Sequence, residues 1–430
     1  MADKQHYIVR PQNATSLDEE VQHSLAKLRR VDLIIGIPSH RNGRTISEVL
    51  HAVSKGISEH YPNHRVLLLN TDGGSSDNTT NTVLEIPMPG NVTKIVTTYT
   101  GPIGKGSAVR AIFEAGRIVK ARACLVLDAH VPGISPEWLP DLINPVIKDG
   151  YELTLGAYNR SSYATAFNDN VAYPFLRAFL NTDLRNPLAS EFCISGELAT
   201  ELAGQDVWET DVARFGVNIW IAMEALLTHR RLVQIELGYR GDPSGDTGAM
   251  ADPRLLHVLS CLFRFLTTQH RLWSTPVPVQ QVPFIPLAQT GAIPACSEYI
   301  PPLLAAFREG AKIYRREWSQ VLLTKDITTI QQLTEASVEG FIFPLDLWTR
   351  NMLRFAYTYN YGEGDPDKVA EAFLPLFYGR SAAYILQTSA LALSEREQQV
   401  EAIVTAMIEV KPSFVARWRE RPIWMDPSWF

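Results

Sequence analysis

The stretch LVLDAHVPG, Leu125–Gly133, decides how this chain reads. It opens as an unbroken apolar run, as a strand buried on both faces would, and closes on Asp128 and His130 with one residue between them. Side chains alternate along a strand, so positions two apart point the same way and this pair can converge on one ligand. A divalent cation is the ligand such donors suggest. The competing interpretation has Asp128 capping the turn before Pro132 and His130 on the surface, and the neighbouring sequence has to choose between them.

Outward from this stretch, residues 31–238 alternate short β-rich runs with amphipathic segments. The expected strands are VDLIIGIP (31–38), RVLLLN (65–70), TKIVTTY (93–99), ACLVLDA (123–129), ELTLGAY (152–158) and RLVQIEL (231–237). TISEVLHAVSKGI, NTTNTVLEI, SAVRAIFEAGRIVKA and PEWLPDLINPVI carry apolar residues at three- and four-residue spacing and are expected to be helices. The alternation is that of a mostly parallel α/β sheet.

GYRGDPSGDTGAMADP (238–253), rich in Gly, Asp and Pro, breaks the pattern and is expected to be a loop. Strand signals nearly vanish beyond it. RLLHVLSCLFRFLTTQHRLW, LLAAFREGAKIYRREWSQVL, LDLWTRNMLRFAYTYN and DKVAEAFLPLFYGRSAAYIL read as helices, and the Pro-rich STPVPVQQVPFIPLAQTGAIP (274–294) is a connector. The expected organisation is an extension over residues 1–30, an α/β unit over 31–245 and a helical unit over 246–430.

A hydrophobic content of 46% with 20% charged residues is ordinary for a globular chain of 430 residues, and the formal charge of −6 offers no basic excess for nucleic acid. No segment has about 18 uninterrupted apolar residues and the first twenty hold no apolar leader, so a cytoplasmic protein without a membrane span is expected. Cys124, Cys193, Cys261 and Cys296 are too scattered for a zinc motif or a disulfide framework, and the first two sit in apolar runs as core residues.

In open α/β sheets the ligand sits outside the carboxyl ends of the strands, so the residues after each strand matter most. Here they are PSHRNGRT (38–45), TDGGSSDNT (71–79), TGPIGKGSA (100–108) and DAHVPG (128–133). The glycines of the second segment permit tight turns and Ser76 or Asp77 can cap the next helix, which leaves Asp72 at the strand end, where a carboxylate can accept a nucleobase N–H. Lys105 opens a helix, where its charge can meet a phosphate or a base carbonyl. The Gly-x-x-x-x-Gly-Lys-Ser/Thr spacing of a P-loop is absent, and so is a dinucleotide-binding glycine fingerprint after the first strand.

In this order the four segments resemble the GT-A nucleotide-diphospho-sugar glycosyltransferases, whose landmarks are a first strand ending in Ile-Pro, an Asp-Gly-Gly-Ser-x-Asp-x-Thr turn, a Gly-Lys-Gly helix start and a strand ending in Asp-x-Asp. NPLASEFCISGELATEL (186–202) is similar to a segment of the retaining glucosyl-3-phosphoglycerate and mannosylglycerate synthases, and DVARFGVNIWIAMEAL (211–226) looks like the helix that follows it. The resemblance spans roughly residues 31–245 and implies a Rossmann-like GT-A sheet followed by the helical unit. By it, Pro38 and Asp72 line the nucleotide base pocket, Lys105 lies against the nucleotide, and Asp128 is the first carboxylate of the metal motif. Arg160, Leu188, Ala189 and Ser190 fall where sugar and acceptor are held, Glu191 touches the donor sugar, and Asp211 and Asn218 on the following helix join Glu191 as catalytic candidates. A divalent metal, Mn or Mg, is the implied cofactor, with Asp128 and His130 as its ligands.

Three positions depart from that pattern. His130 replaces the second aspartate, Asn218 stands where Asp or Glu is usual, and LGYRGDPSGD has no histidine after the last strand, although Asp242 and Asp246 are near. A metal offsets the charge of the leaving diphosphate as Lewis acid and template, and imidazole suits manganese, cobalt or zinc better than magnesium. His40 and Arg41 can contact phosphate or belong to an exposed loop. FAYTYNYGEGD (355–365) borders the acceptor site or fills core, and His257 and His270 read as packing or surface residues on a helix.

The expected activity is retaining transfer of a hexose from a nucleotide-diphospho-sugar to a small hydroxy acid such as glycerate or 3-phosphoglycerate, in a cytoplasmic protein for which a homodimer is one possible assembly. The alternative is a catalytically weakened relative that binds a nucleotide-sugar or sugar as a sensor. A nucleotidyltransferase is disfavoured, since its Gly-rich, basic signature at the first strand is missing.

Overall fold

Apolar runs with no polar face fold here as central strands of a twisted sheet covered by helices on both sides. The computed structural model describes residues 15–28, 30–240, 253–275, 278–286 and 296–420. Among them are strands β1 (Leu33–Ser39), β2 (Val66–Asp72), β3 (Val92–Thr98), β4 (Ala123–Val126), β5 (Leu153–Asn159), β6 (Phe192–Ser195), β7 (Leu232–Tyr239) and β8 (Phe284–Ile285). They form one sheet in the order β3-β2-β1-β4-β6-β5-β7-β8. All pairs are parallel except those of β6, which runs antiparallel to both β4 and β5.

Alternation sorts each strand between two cores. Leu33, Ile35, Ile37, Val66, Leu68, Ala123 and Leu125 face the helices Ile46–His60 and Trp138–Ile147, whereas Ile34, Leu67, Leu69, Cys124 and Val126 face the helix Lys105–Val119. The second core is the larger: a continuous buried cluster runs from Leu17 through the sheet face to Trp418, so the helical unit and the sheet share it. Gly36 lies under the helix Lys105–Val119, where a Cβ would stand 2.4 Å from Ile112. Gly106 lets the start of that helix touch the π-helical turn Val212–Gly216, because a Cβ there would lie 1.9 Å from the Val212 carbonyl oxygen.

The six expected strands are present; β6 and β8 are additional. β4 is shorter than expected. It pairs with β1 only as far as Val126 opposite Gly36, beyond which β1 pairs on its β2 side alone. Asp128 and His130 therefore lie in the loop after the strand, and strand alternation is not what brings them together. The four cysteines are buried and free, and among the described residues no helix is long and apolar enough to cross a membrane.

The expected helical run 303–322 is broken at Tyr314 into Ile300–Ile313 and Arg315–Val321. The helix Leu393–Arg419 was hidden by its density of charge, yet it buries Val400, Ile403, Val404, Met407, Phe414 and Trp418 along one side. Phe355 and Tyr359 are buried in the helical core, so the aromatic stretch is packing. Asp242 and Asp246 lie outside the described residues, as does much of the connector.

Asp169, fully buried in the π-helical turn Asn168–Ala172, ties the two halves together. It accepts from Arg185 at 2.7 Å and Tyr384 at 2.7 Å, with Arg396 at 3.5 Å. Burial pushes its carboxyl up, but Arg185 and Arg396 more than offset this and hold it below the usual carboxylate range. A carboxyl lowered on folding contributes stability that is present above its unfolded value of about 3.9 and is lost as pH falls toward the folded value. Replacing Asp169 with Ala removes the buried carboxylate that Arg185, Arg396 and Tyr384 share, leaving Arg185 to Glu397 and Arg396 to the Arg160 carbonyl and Thr165. The expected loss is about 3–5 kcal/mol in denaturant unfolding at pH 7, shrinking as the pH is lowered through 4.

Candidate active site

The site grows from the carboxyl ends of the strands. Between β1 and β4 the chain order reverses, and there a cleft of about 570 Å³ opens, lined by Pro38 and Ser39 of β1, Lys105 at a helix start, and Asp128 and His130 after β4. Ser190 ahead of β6, Asn218 on the helix Val217–Leu227 and Arg240 just past β7 complete the wall.

Four charges join these elements. Lys105 Nζ meets Asp128 Oδ1 at 2.5 Å and donates to the Ser190 carbonyl at 3.2 Å. Arg240 pairs through Nη1 with Glu191 Oε2 at 2.8 Å and lies 3.7 Å from Asp128 through Nη2, which also donates to the His130 carbonyl at 3.2 Å. Its guanidinium stands over the Tyr158 ring at 5.4 Å, and the Tyr158 hydroxyl donates to Glu191. Burial raises both carboxyls, but Lys105 and Arg240 hold Asp128 below the ordinary range. Glu191 stays above it, because burial and the neighbouring Asp128 outweigh Arg240. The two carboxylates are thus driven apart in acidity within one cluster.

A second cavity of about 310 Å³ shares Leu188, Ser190, Arg240, Arg254 and Val258 with the cleft and adds Arg160, Arg185 and Arg396. Arg254 and Val258 come from the helix Pro253–Thr268, and Arg396 from the helix Leu393–Arg419, so the helical unit supplies part of the wall. Arg185 forks onto Glu397 with two 2.9 Å bonds, and Arg396 donates to the Arg160 carbonyl and Thr165, each at 2.7 Å.

Of the residues singled out in the sequence, Pro38, Lys105, Asp128, His130, Leu188, Ser190 and Asn218 share the cleft wall, as does His40. Arg160 lines the second cavity. Ala189 is buried beside the wall, and Glu191 is buried behind it, holding Arg240. Asp72 also lies behind the wall, 1% exposed; it accepts from Ser39 Oγ at 2.8 Å and from Ser75 N and Oγ at 2.6 and 2.7 Å, which shapes the turn after β2. Asp211 lines a separate cavity with His257, 4.0 Å away, and His257 in turn stacks on Phe215 of the cleft wall. His270 donates from Nδ1 to the Thr267 carbonyl at 3.1 Å. Arg240 and Tyr158 were missed, although each ends or follows an expected strand, where the carboxyl-end rule looks for ligands.

Asn218 lies on the cleft lining, and its Oδ1 is buried with no hydrogen-bond partner among the described residues. For a metal, Asp128, His130 and His40 are the donors on the cleft lining. Each Asp128 oxygen keeps a lone pair besides its ion pair, and carboxylate with imidazole fits manganese better than magnesium. Among the described residues the trio whose ligand atoms already converge is a different one, Glu59, His60 and Glu137.

Because the Asp72 carboxylate takes two donors from Ser75 in its own turn and one from Ser39 of β1, its replacement by Ala is expected to lower unfolding free energy by about 1–3 kcal/mol. Titration of the same variant with uridine and guanosine diphosphates measures whether base affinity falls with it; unchanged stability would contradict the turn-shaping role.

No family model matches the sequence, and no curated protein sequence matches it. Among solved structures, the chain is similar to glucosyl-3-phosphoglycerate synthase from Mycobacterium tuberculosis in complex with Mn2+, uridine diphosphate and glucosyl-3-phosphoglycerate, at 20% identity over 59% of this chain and 86% of that one, TM-score 0.41. The same enzyme with phosphoglyceric acid aligns at 20% identity over 56% and 83%, TM-score 0.42, and with Mg2+ and uridine diphosphate at 19% over 56% and 82%, TM-score 0.40.

Proposed function

We propose that this chain is a glycosyltransferase that moves a hexose from a nucleotide-diphospho-sugar to a small hydroxylated acid, with retention at the anomeric carbon. The observation that carries the reading is the convergence of Lys105 and Arg240 on Asp128 at the carboxyl edge of the sheet, beside a second cavity lined by further arginines. It is joined by the order of the strand-end segments, PSHRNGRT, TDGGSSDNT, GKGSA and DAH.

In this reading the nucleotide enters between Pro38 and the start of the helix Lys105–Val119. Lys105 turns from Asp128 toward the diphosphate, and Glu191 and Tyr158 hold Arg240 from behind so that it meets the phosphates without reorganising. The unpartnered Asn218 oxygen accepts a sugar hydroxyl. Arg160, Arg185 and Arg396 face the acid group of the acceptor, and charge-assisted bonds from such groups favour carboxylate and phosphate. The cleft and the second cavity meet along Leu188, Ser190 and Arg240, which brings the acceptor hydroxyl to the face from which the diphosphate leaves. A divalent ion, when bound, supplies Lewis-acid stabilisation of the leaving diphosphate, and Asp128 with His130 would hold it.

A second reading, a sugar-nucleotide sensor without turnover, draws on Asn218 and His130, since an amide and an imidazole replace two negative charges in the wall. Transfer assays decide between the two. With uridine- or guanosine-diphosphate hexoses, manganese and glycerate or phosphoglycerate, mass spectrometry should detect a glycosylated acid, and NMR should show the donor's anomeric configuration in the product. Nucleotide binding without product on any acid would favour the sensor.

Replacement of Lys105 by Met should weaken nucleotide-diphosphate binding by about 1.5–3 kcal/mol, roughly ten- to 150-fold in calorimetry. Imidazole ligates only when neutral, so manganese binding in the presence of nucleotide should be weaker at pH 6 than at pH 8. His130→Asp should flatten that difference and favour magnesium. Absence of manganese binding at both pH values would remove the metal from the reading.

A further inference from the structure

The second cavity changes character from its depth to its mouth. Arg396 and Arg185, with side chains 7% and 22% exposed, form its inner part, whereas Phe284 and Leu393 border it at 46% and 37% exposure. One helix supplies both kinds of surface: Leu393 is its first residue, and Arg396 and Glu397 follow three and four positions on, on the same face. Opposite, Phe284 belongs to a two-residue strand, β8, which pairs in parallel with Gln234 and Ile235 of β7. Large apolar side chains exposed at the rim of a charged cavity mark a binding surface more often than scattered exposed residues do.

Arg185 and Arg396 are shared with Asp169 and Glu397, so an incoming acid competes with those carboxylates for them, and a bare three-carbon acid has no apolar face to cover this rim. We propose that the acceptor is an acid carrying a ring, with its anionic group at Arg160, Arg185 and Arg396 and an apolar ring face against Phe284 and Leu393. The proposal rests on the transferase reading for its meaning as an acceptor site. A pyranose, through its C–H face, and an aromatic ring share this chemistry, so a glycosylated and an aryl hydroxy acid are its two sources. Phe284 and Leu393 are then specificity-determining residues, apart from the charge cluster at Asp128.

The test is calorimetry on the full chain without donor, using glycerate, 3-phosphoglycerate, a hexosylglycerate and phenyllactate as probes. At least one ring-bearing acid should bind about tenfold more tightly than glycerate, and Phe284→Ala and Leu393→Asn should each remove most of that advantage while leaving glycerate and phosphoglycerate within about twofold. Phe284→Tyr should keep it. If the hexosylglycerate shows the effect, the ring is a sugar; if phenyllactate does, it is aromatic. Equal binding of all four acids, equal weakening of all four by Phe284→Ala, or no binding of any would overturn the proposal. Transfer is assayed separately: Phe284-dependent binding with no turnover of any donor refutes the transferase reading and leaves the ring-acid site standing. Transfer to glycerate that is indifferent to Phe284 and to the ring does the reverse.

Discussion

The charge chain Lys105–Asp128–Arg240–Glu191 is the interaction on which the rest of the site depends. Its members come from a helix start, the loop after β4, the approach to β6 and the end of β7, so it closes only when the sheet has the observed order. Two cations and two carboxylates balance one another, which makes their partial burial tolerable. Their acidities nevertheless differ in direction, because Asp128 faces both cations and Glu191 faces Arg240 against Asp128. A cluster of this kind keeps two cations preorganised without leaving them unpaired, and an incoming dianion can exchange with a carboxylate for them.

The second requirement is that the helical unit stay docked. Asp169 does this from a π-helical turn, and such turns are frequent at functional sites. Its partners Arg185 and Arg396 are also walls of the second cavity, so the groups that hold the two halves together are the groups that meet the acceptor in the proposed reaction. Nearby, the buried Arg380, whose guanidinium burial brings down to about 10, is satisfied by Asn170 and the Phe343 carbonyl. The interface between the units is therefore polar at its centre and apolar around it.

Much of the cleft lining was legible because ligands of α/β sheets gather past the strand ends, and that rule singles out Pro38, Lys105, Asp128 and His130 from local sequence alone. It singled out Asp72 as well, whose strand-end position is genuine and whose buried carboxylate accepts from Ser39 and Ser75. It passed over Arg240 and Tyr158, because an Arg or Tyr after a strand carries no motif until Glu191 is brought beside it from 49 and 33 residues away. Asp211 sits one π-helical turn from Phe215 and Asn218, yet that turn carries it to another cavity.

By itself the sequence determined where chain segments are apolar at period two or near four, hence six strands, most helices and the switch to an all-helical second half. Those features follow from local burial patterns and turn residues, which act over a few positions. Only the tertiary structure decided that β6 enters antiparallel between β4 and β5, that β4 stops before Asp128, and that a charge-rich final helix brings Arg396 and Leu393 to a cavity begun at residue 157. These outcomes depend on pairing and charge compensation between residues far apart in the chain, which no local periodicity encodes.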